Sequence, residues 1–185
     1  MEIGIIGLPG SGKSTVFNAV TRGTVPVGPY GGARGEVNLG VVRVRDERLD
    51  ALKDVFGSAR QVAAEFTYVD PPIASEEHGI SGELLNRLQV VDALVIVARA
   101  FDDPSVPPPA GGVDPVRDAE STLYELTFAD LEIVERRLAR VAQGFKGAKA
   151  PERDALNREK SLLDGLKAGL EDGRPIGDRR LSRDE

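Results

Sequence analysis

Gly7-Leu8-Pro9-Gly10-Ser11-Gly12-Lys13-Ser14, with Thr15 next, is the stretch that decides the fold. Glycine, four variable residues and then Gly-Lys-Ser is the spacing of a loop that wraps phosphate. Gly7, Gly10 and Gly12 let the backbone turn tightly and aim several N–H groups at one anion. A helix starting at Ser14 points the positive end of its dipole at the same anion. Lys13 is long enough to reach the outer phosphates of a nucleoside triphosphate, and the Ser14 hydroxyl suits Mg²⁺. The flanks agree: residues 3–6 are an apolar run of strand type, and residues 14–20 a helical run. The candidate nucleotide-binding residues are therefore Gly7, Leu8, Pro9, Gly10, Ser11, Gly12, Lys13, Ser14 and Thr15. The expected ligands are ATP or GTP with Mg²⁺.

Outward from the loop, residues 2–7 have the make-up of a parallel strand covered on both faces. Residues 14–21 form the first helix, and the Gly/Pro-rich residues 23–36 a loop. Residues 37–44 give a second strand. Residues 46–56 give a helix with Asp46 as its cap, Leu49, Leu52, Val55 and Phe56 on an apolar face, and Gly57 as its stop. Residues 64–69 give a third strand, ending at Asp70. An acidic residue at the carboxyl end of a buried strand is where phosphate-loop proteins hold Mg²⁺, so Asp70 joins Ser14 as a candidate metal ligand. Residues 76–91 lead through a polar loop into a helix with Leu84, Leu85 and Leu88 on one face. Residues 93–98 are the most apolar strand, and residues 102–112 a surface loop.

From Pro115 onward the pattern is helical. Leu131, Val134, Leu138, Val141 and Phe145 recur at three-four spacing, as do Leu156, Leu163, Leu166 and Leu170, with Glu159 in one seam position. A glycine-bearing turn at residues 144–151 joins the two stripes into an antiparallel helical hairpin, a short coiled coil. Arg136, Arg137, Arg140, Lys146, Lys149 and Arg153 make its tip basic, a candidate contact for RNA or an acidic partner. Residues 178–185 form a charged tail.

Composition bounds the rest. A chain of 185 residues is long enough for one domain with a real core and leaves room for an inserted subdomain. A net charge of −6 means that any nucleic-acid contact is local. With no cysteine there are no disulfides, thiolate metal sites or cysteine nucleophiles. The apolar runs are too short to span a bilayer and no secretory signal is visible, so a cytoplasmic protein without membrane contact is expected.

Four segments carry a resemblance to a known family. They are Met1-Glu2-Ile3-Gly4-Ile5-Ile6-Gly7-Leu8-Pro9 with the run to Phe17-Asn18-Ala19; Asn38-Leu39-Gly40-Val41-Val42 with Asp46-Glu47-Arg48-Leu49-Asp50; Asp92-Ala93-Leu94 through Arg99-Ala100-Phe101-Asp102; and Val113-Asp114-Pro115-Val116-Arg117-Asp118 with residues 126–137. Together they resemble the amino-terminal part of the Obg-like ATPase, or YchF, family. The resemblance implies an α/β phosphate-loop NTPase fold of the Ras-like type, a mostly parallel sheet with flanking helices, here incomplete. It also implies an inserted antiparallel helical hairpin, a preference for ATP, and association with ribosomes. The implied division is residues 1–118 for the nucleotide-binding domain without its last strands, 119–174 for the hairpin and 175–185 for the tail. The resemblance places the family's base-reading motif after the hairpin, and these 185 residues do not contain it, so ATP and GTP both stay open. A sheet cut short would have an unpaired edge, which invites self-association.

The sequence also departs from the family. The threonine expected in the first switch falls near Arg34, with Thr24 well upstream. The Asp-x-x-Gly of the second switch reads Asp70-Pro71-Pro72-Ile73. His78, the single histidine, with Ser75 and Glu76, is better read as a loop residue than as a water-orienting catalyst, so no catalytic residue is assigned. Loss of one positioning donor costs about 2.7–4 kcal/mol of barrier, a rate factor of about 100–1000. Three readings follow: a slow Mg²⁺-dependent NTP hydrolase working as a switch, a nucleotide-binding module without turnover, and, ranked last, a small-molecule kinase.

Overall fold

The structure, a computed structural model, describes residues 1–24, 37–71, 82–107, 111–179 and 182. The chain falls into two compact units, Met1–Thr122 and Leu123–Glu185. In the first, four strands form one sheet: β1 (Glu2–Ile6), β2 (Asn38–Arg43), β3 (Glu65–Asp70) and β4 (Ala93–Ile96), in the order β2-β3-β1-β4. β1 lies in the middle and pairs parallel with both β3 and β4, whereas β2 runs antiparallel to β3. Parallel neighbours on both sides explain why β1 is apolar without alternation: Gly4, Ile5 and Ile6 are all buried.

Helix α1 (Lys13–Thr21) follows the phosphate loop and buries Phe17. Gly40 of β2 sits against it. A Cβ there would lie 2.3 Å from the Thr21 methyl, so the close approach of helix and strand requires glycine. Helix α2 (Arg48–Phe56) forms where the spacing predicts, but its apolar face is not covered. Leu52, Val55 and Phe56 are exposed, and no residue of the helix is buried. The cap also shifts by one residue. Glu47 occupies the cap position, while Asp46 accepts the Arg48 N–H at 3.0 Å. Helix α3 (Gly82–Leu88) contributes the buried Leu88.

The unit boundary falls within helix α4 (Pro115–Gly144), and α5 (Ala150–Glu171) follows. Within the second unit the two helices form an antiparallel hairpin, as the paired positions show. Gly144 faces Leu156, Arg137 pairs with Glu159, and Glu135 pairs with Lys167, so one number falls as the other rises. Val134, Val141 and Leu170 from the two stripes are buried. Glu159, the one charge in the seam, meets Arg137 across it. A 3-10 turn, Ile176–Asp178, follows, and the Arg179 guanidinium lies about 3 Å from where a Gly165 Cβ would be. Leu170→Ala is expected to lower the stability of this unit by about 2–4 kcal/mol, the usual cost of emptying a leucine site. Glu159→Ala, at a partly exposed pair, should cost under about 1 kcal/mol. Helix melting followed by circular dichroism checks both.

Candidate phosphate and metal site

β1 ends at Ile6 and the chain turns at once. Gly7 has φ 149° and Gly12 φ 98°, both in the region that glycine tolerates and other residues rarely adopt. Gly7 is also pressed on the end of β4. A Cβ there would meet the Val97 carbonyl at 2.2 Å, while the Val97 N–H donates to Ile6 O at 2.8 Å. The Ser11 N–H closes the turn on Leu8 O at 3.2 Å. The Ser11 hydroxyl is buried and has no partner among the described residues. Gly12 caps α1, whose first turn holds Lys13, Ser14 and the exposed Thr15. The first N–H groups of a helix have no acceptor within it, so this turn is a donor-rich, partly positive rim.

The Lys13 ammonium is buried and folds back along the loop. It donates to Gly7 O at 2.9 Å and Leu8 O at 3.2 Å. Burial pushes it down from 10.5 to about 8, and the negative charge of Asp70 offsets part of that. Two buried polar groups of opposite sign thus flank the loop.

Asp70, 3 % exposed, stands at the carboxyl end of β3. Its Oδ2 accepts from Ser14 Oγ at 3.2 Å and from Asn38 Nδ2 at 3.1 Å. The two expected metal ligands are therefore brought together, from α1 and from β3. Asn38 is a residue that sequence reasoning missed as a site member. It faces Asp70 in the β2–β3 register, and the signal was its place as a polar residue near the start of a predicted strand. Arg99 was missed too. It is a charge immediately after the most apolar strand run, and it is buried beside the loop. Arg34, Ile73, Ser75, Glu76 and His78 lie outside the described residues, so the two switch expectations rest on sequence. Among the described residues no cluster of three or more His, Cys, Asp or Glu side chains could hold a metal. No described helix is long and apolar enough to cross a membrane.

The comparisons with known proteins agree with this geometry. A family model described as 50S ribosome-binding GTPase matches residues 2–134. The Ribosome-binding ATPase YchF of Bacillus subtilis is 36% identical over 95% of this chain and 48% of its own length. That of Haemophilus ducreyi is 35% identical over 100% of this chain and 51% of its own. The Obg-like ATPase 1 of rice (Oryza sativa) is 33% identical over 95% of the chain. The solved structure of the Schizosaccharomyces pombe YchF GTPase superposes with a TM-score of 0.77 at 32% identity, covering all of this chain and 50% of that one. The chain spans about half the length of the relatives it matches. With the phosphate-loop pattern, the parallel sheet around β1 and the matched residues 2–134 in hand, the chain belongs to the 50S ribosome-binding GTPase family, and the members it resembles are the YchF and Obg-like ATPases.

Proposed function

We propose that this chain is the nucleotide-holding part of a ribosome-associated ATPase or GTPase. The observation that carries the reading is the meeting of Lys13, Ser14 and Asp70 at one loop end, where a helix N-terminus and a tight glycine turn converge. Lys13 would leave the Gly7 and Leu8 carbonyls for the outer phosphates, and the N–H groups of residues 10–14 would take the inner ones. Ser14 Oγ and Asp70 Oδ2 are hard oxygen donors 3.2 Å apart, which fits Mg²⁺. The ion, when bound, would neutralise and orient the phosphate oxygens. Asn38 would keep Asp70 turned toward Ser14. The substitutions at Arg34 and Ile73 favour slow turnover, or binding without turnover, because they fall where a γ-phosphate would be sensed.

Calorimetric titration with ATP and with GTP tests this, each with Mg²⁺ and again with Lys13→Ala. Binding that vanishes in the variant supports the reading, and heat that survives it sinks it. Asp70→Asn is expected to weaken binding in Mg²⁺ about tenfold and to leave binding in EDTA almost unchanged. Phosphate release above the Lys13→Ala control then separates a hydrolase from a pure binding module. The names of the relatives support contact with the ribosome, and hence a cytoplasmic setting, with the basic hairpin tip as the contact. Co-sedimentation with ribosomes, lost when Arg140, Lys146 and Arg153 are changed to glutamate, is the expected result. β4 is an edge of the described sheet, and self-association through it would appear as a concentration-dependent sedimentation coefficient.

A further inference from the structure

Arg99 heads the largest fully buried side chains among the described residues, at 2 % exposed. A guanidinium does not lose its proton in a protein, so this charge has to be solvated where it lies. Main-chain carbonyls do it. Nε donates to Phe101 O at 3.0 Å and Nη1 to Pro107 O at 3.2 Å. Nη2 donates to Val106 O at 2.9 Å and, more weakly, to Asp103 O at 3.4 Å. The guanidinium also lies 5.1 Å from the centre of the Phe101 ring. All four acceptors come from residues 101–107, so this irregular segment is folded around one cation.

Those carbonyls satisfy the donors but carry no net charge. Asp103 feels the positive charge, yet its Oδ1 is engaged by the N–H and hydroxyl of Ser105 at 2.9 and 2.6 Å. None of the four bonds to the guanidinium comes from a carboxylate. The segment is set against the phosphate loop. From the position a Gly10 Cβ would take, Val106 Cγ1 is 3.0 Å away and Arg99 Nη1 3.7 Å. From the position a Gly12 Cβ would take, the Phe101 ring is 3.8 Å away. Arg99, Phe101 and Val106 therefore back the two glycines whose shape decides where the loop amides point.

We propose that Arg99 is a positioning residue of the phosphate loop. Its planar fork folds residues 101–107 into a support behind Gly10 and Gly12, and its permanent charge favours an anion in front of them. The anion is the nucleotide phosphate of the reading above, on which this part rests; the support itself does not depend on it.

Arg99→Lys tests the proposal, because it keeps the charge and loses the fork: an ammonium has three donors and cannot meet four carbonyls in one plane. Amide hydrogen exchange of the nucleotide-free chain is read first. Exchange should speed up in residues 10–14 and 101–106 together, with β2, β3, α4 and α5 unchanged. Faster exchange everywhere alike would mark a general loss of stability and overturn the proposal, as would unchanged exchange at residues 10–14. The Kd for ATP should rise at least tenfold, and a Kd within twofold of wild type would overturn it as well. Val106→Ala is the gentler second variant. It should speed exchange at residues 10–14 without moving the melting temperature by more than a few degrees, and no local change there counts against the support. If the wild-type chain binds neither ATP nor GTP while the local coupling persists, the nucleotide reading falls and the support stands.

Discussion

Lys13→Met is expected to abolish ATP and GTP binding and, at the same time, to raise the melting temperature of the nucleotide-free protein. The two effects have one cause. The ammonium is buried, and a fall from 10.5 to about 8 corresponds to roughly 3 kcal/mol against its charged form. Methionine has a similar length and carries no charge. Its cost is the loss of the bonds to Gly7 O and Leu8 O, about 1 kcal/mol each. The net gain is then about 1 kcal/mol, or about 2–4 °C in a chain of this size. The sign with pH follows. Below pH 8 both folded and unfolded chains hold the proton, and Lys13 adds no slope. Between about 8 and 10.5 the unfolded chain binds more protons, so wild-type stability rises with pH through that window. The variant should lack that rise. A phosphate beside the ammonium reverses the shift. At pH 8 nucleotide binding should therefore draw about half a proton from the buffer, and clearly less at pH 6.5. Calorimetry in buffers of different protonation enthalpy measures this directly. Equal heats in all buffers at pH 8 would show that Lys13 does not meet the phosphate.

Gly7→Ala carries the largest expected loss of stability, at least about 4 kcal/mol. Backbone strain at φ 149° accounts for about 1–3 kcal/mol of it. The rest is steric. The new methyl would sit 2.2 Å from the Val97 carbonyl and 3.0 Å from the Ser11 hydroxyl. Relief requires the first residue of the loop and the end of β4 to part, which strains the bond from the Val97 N–H to Ile6 O. Gly57→Ala is the matched control. Gly57 also has a positive φ, 59°, but nothing lies within 4 Å of its added methyl. It should cost about 1 kcal/mol. Paired thermal melts decide the matter, and similar losses in the two variants would mean that crowding at Val97 is unimportant.

The contrast between these glycines also shows what sequence made legible. The loop, its strand and its helix were readable because their signals are local: an apolar run, a fixed glycine spacing, a lysine and a serine. The long helix α4 was readable from period alone. Asp70 was reachable because a strand end followed by Pro71 is a local event too. The surroundings were not. Leu52, Val55 and Phe56 make a correct helical face, yet what covers a face is a tertiary fact, and here they are exposed. Asp46 was read as the cap of α2, but it bonds two residues onward in the manner of aspartate turns. Asn38 was seen as a family mark, and its bond to Asp70 appears only when β2 and β3 are in register. Arg99 was hidden most fully. Its acceptors are main-chain carbonyls, which every sequence possesses, so no residue type advertises its burial.

The sheet order carries a consequence for the time course of folding. β2 and β3 are neighbours both in sequence and in space, and their antiparallel pairing can form early. β1 has no such neighbour. Its partners are residues 67–69 and 93–96, and Gly7 is shaped against Val97. Long-range parallel pairing is slow because chain closure comes before any contact is gained. During synthesis the first fourteen residues therefore wait until residue 97 has emerged before their loop can take its form. Substitutions around that loop should change unfolding rates far more than folding rates.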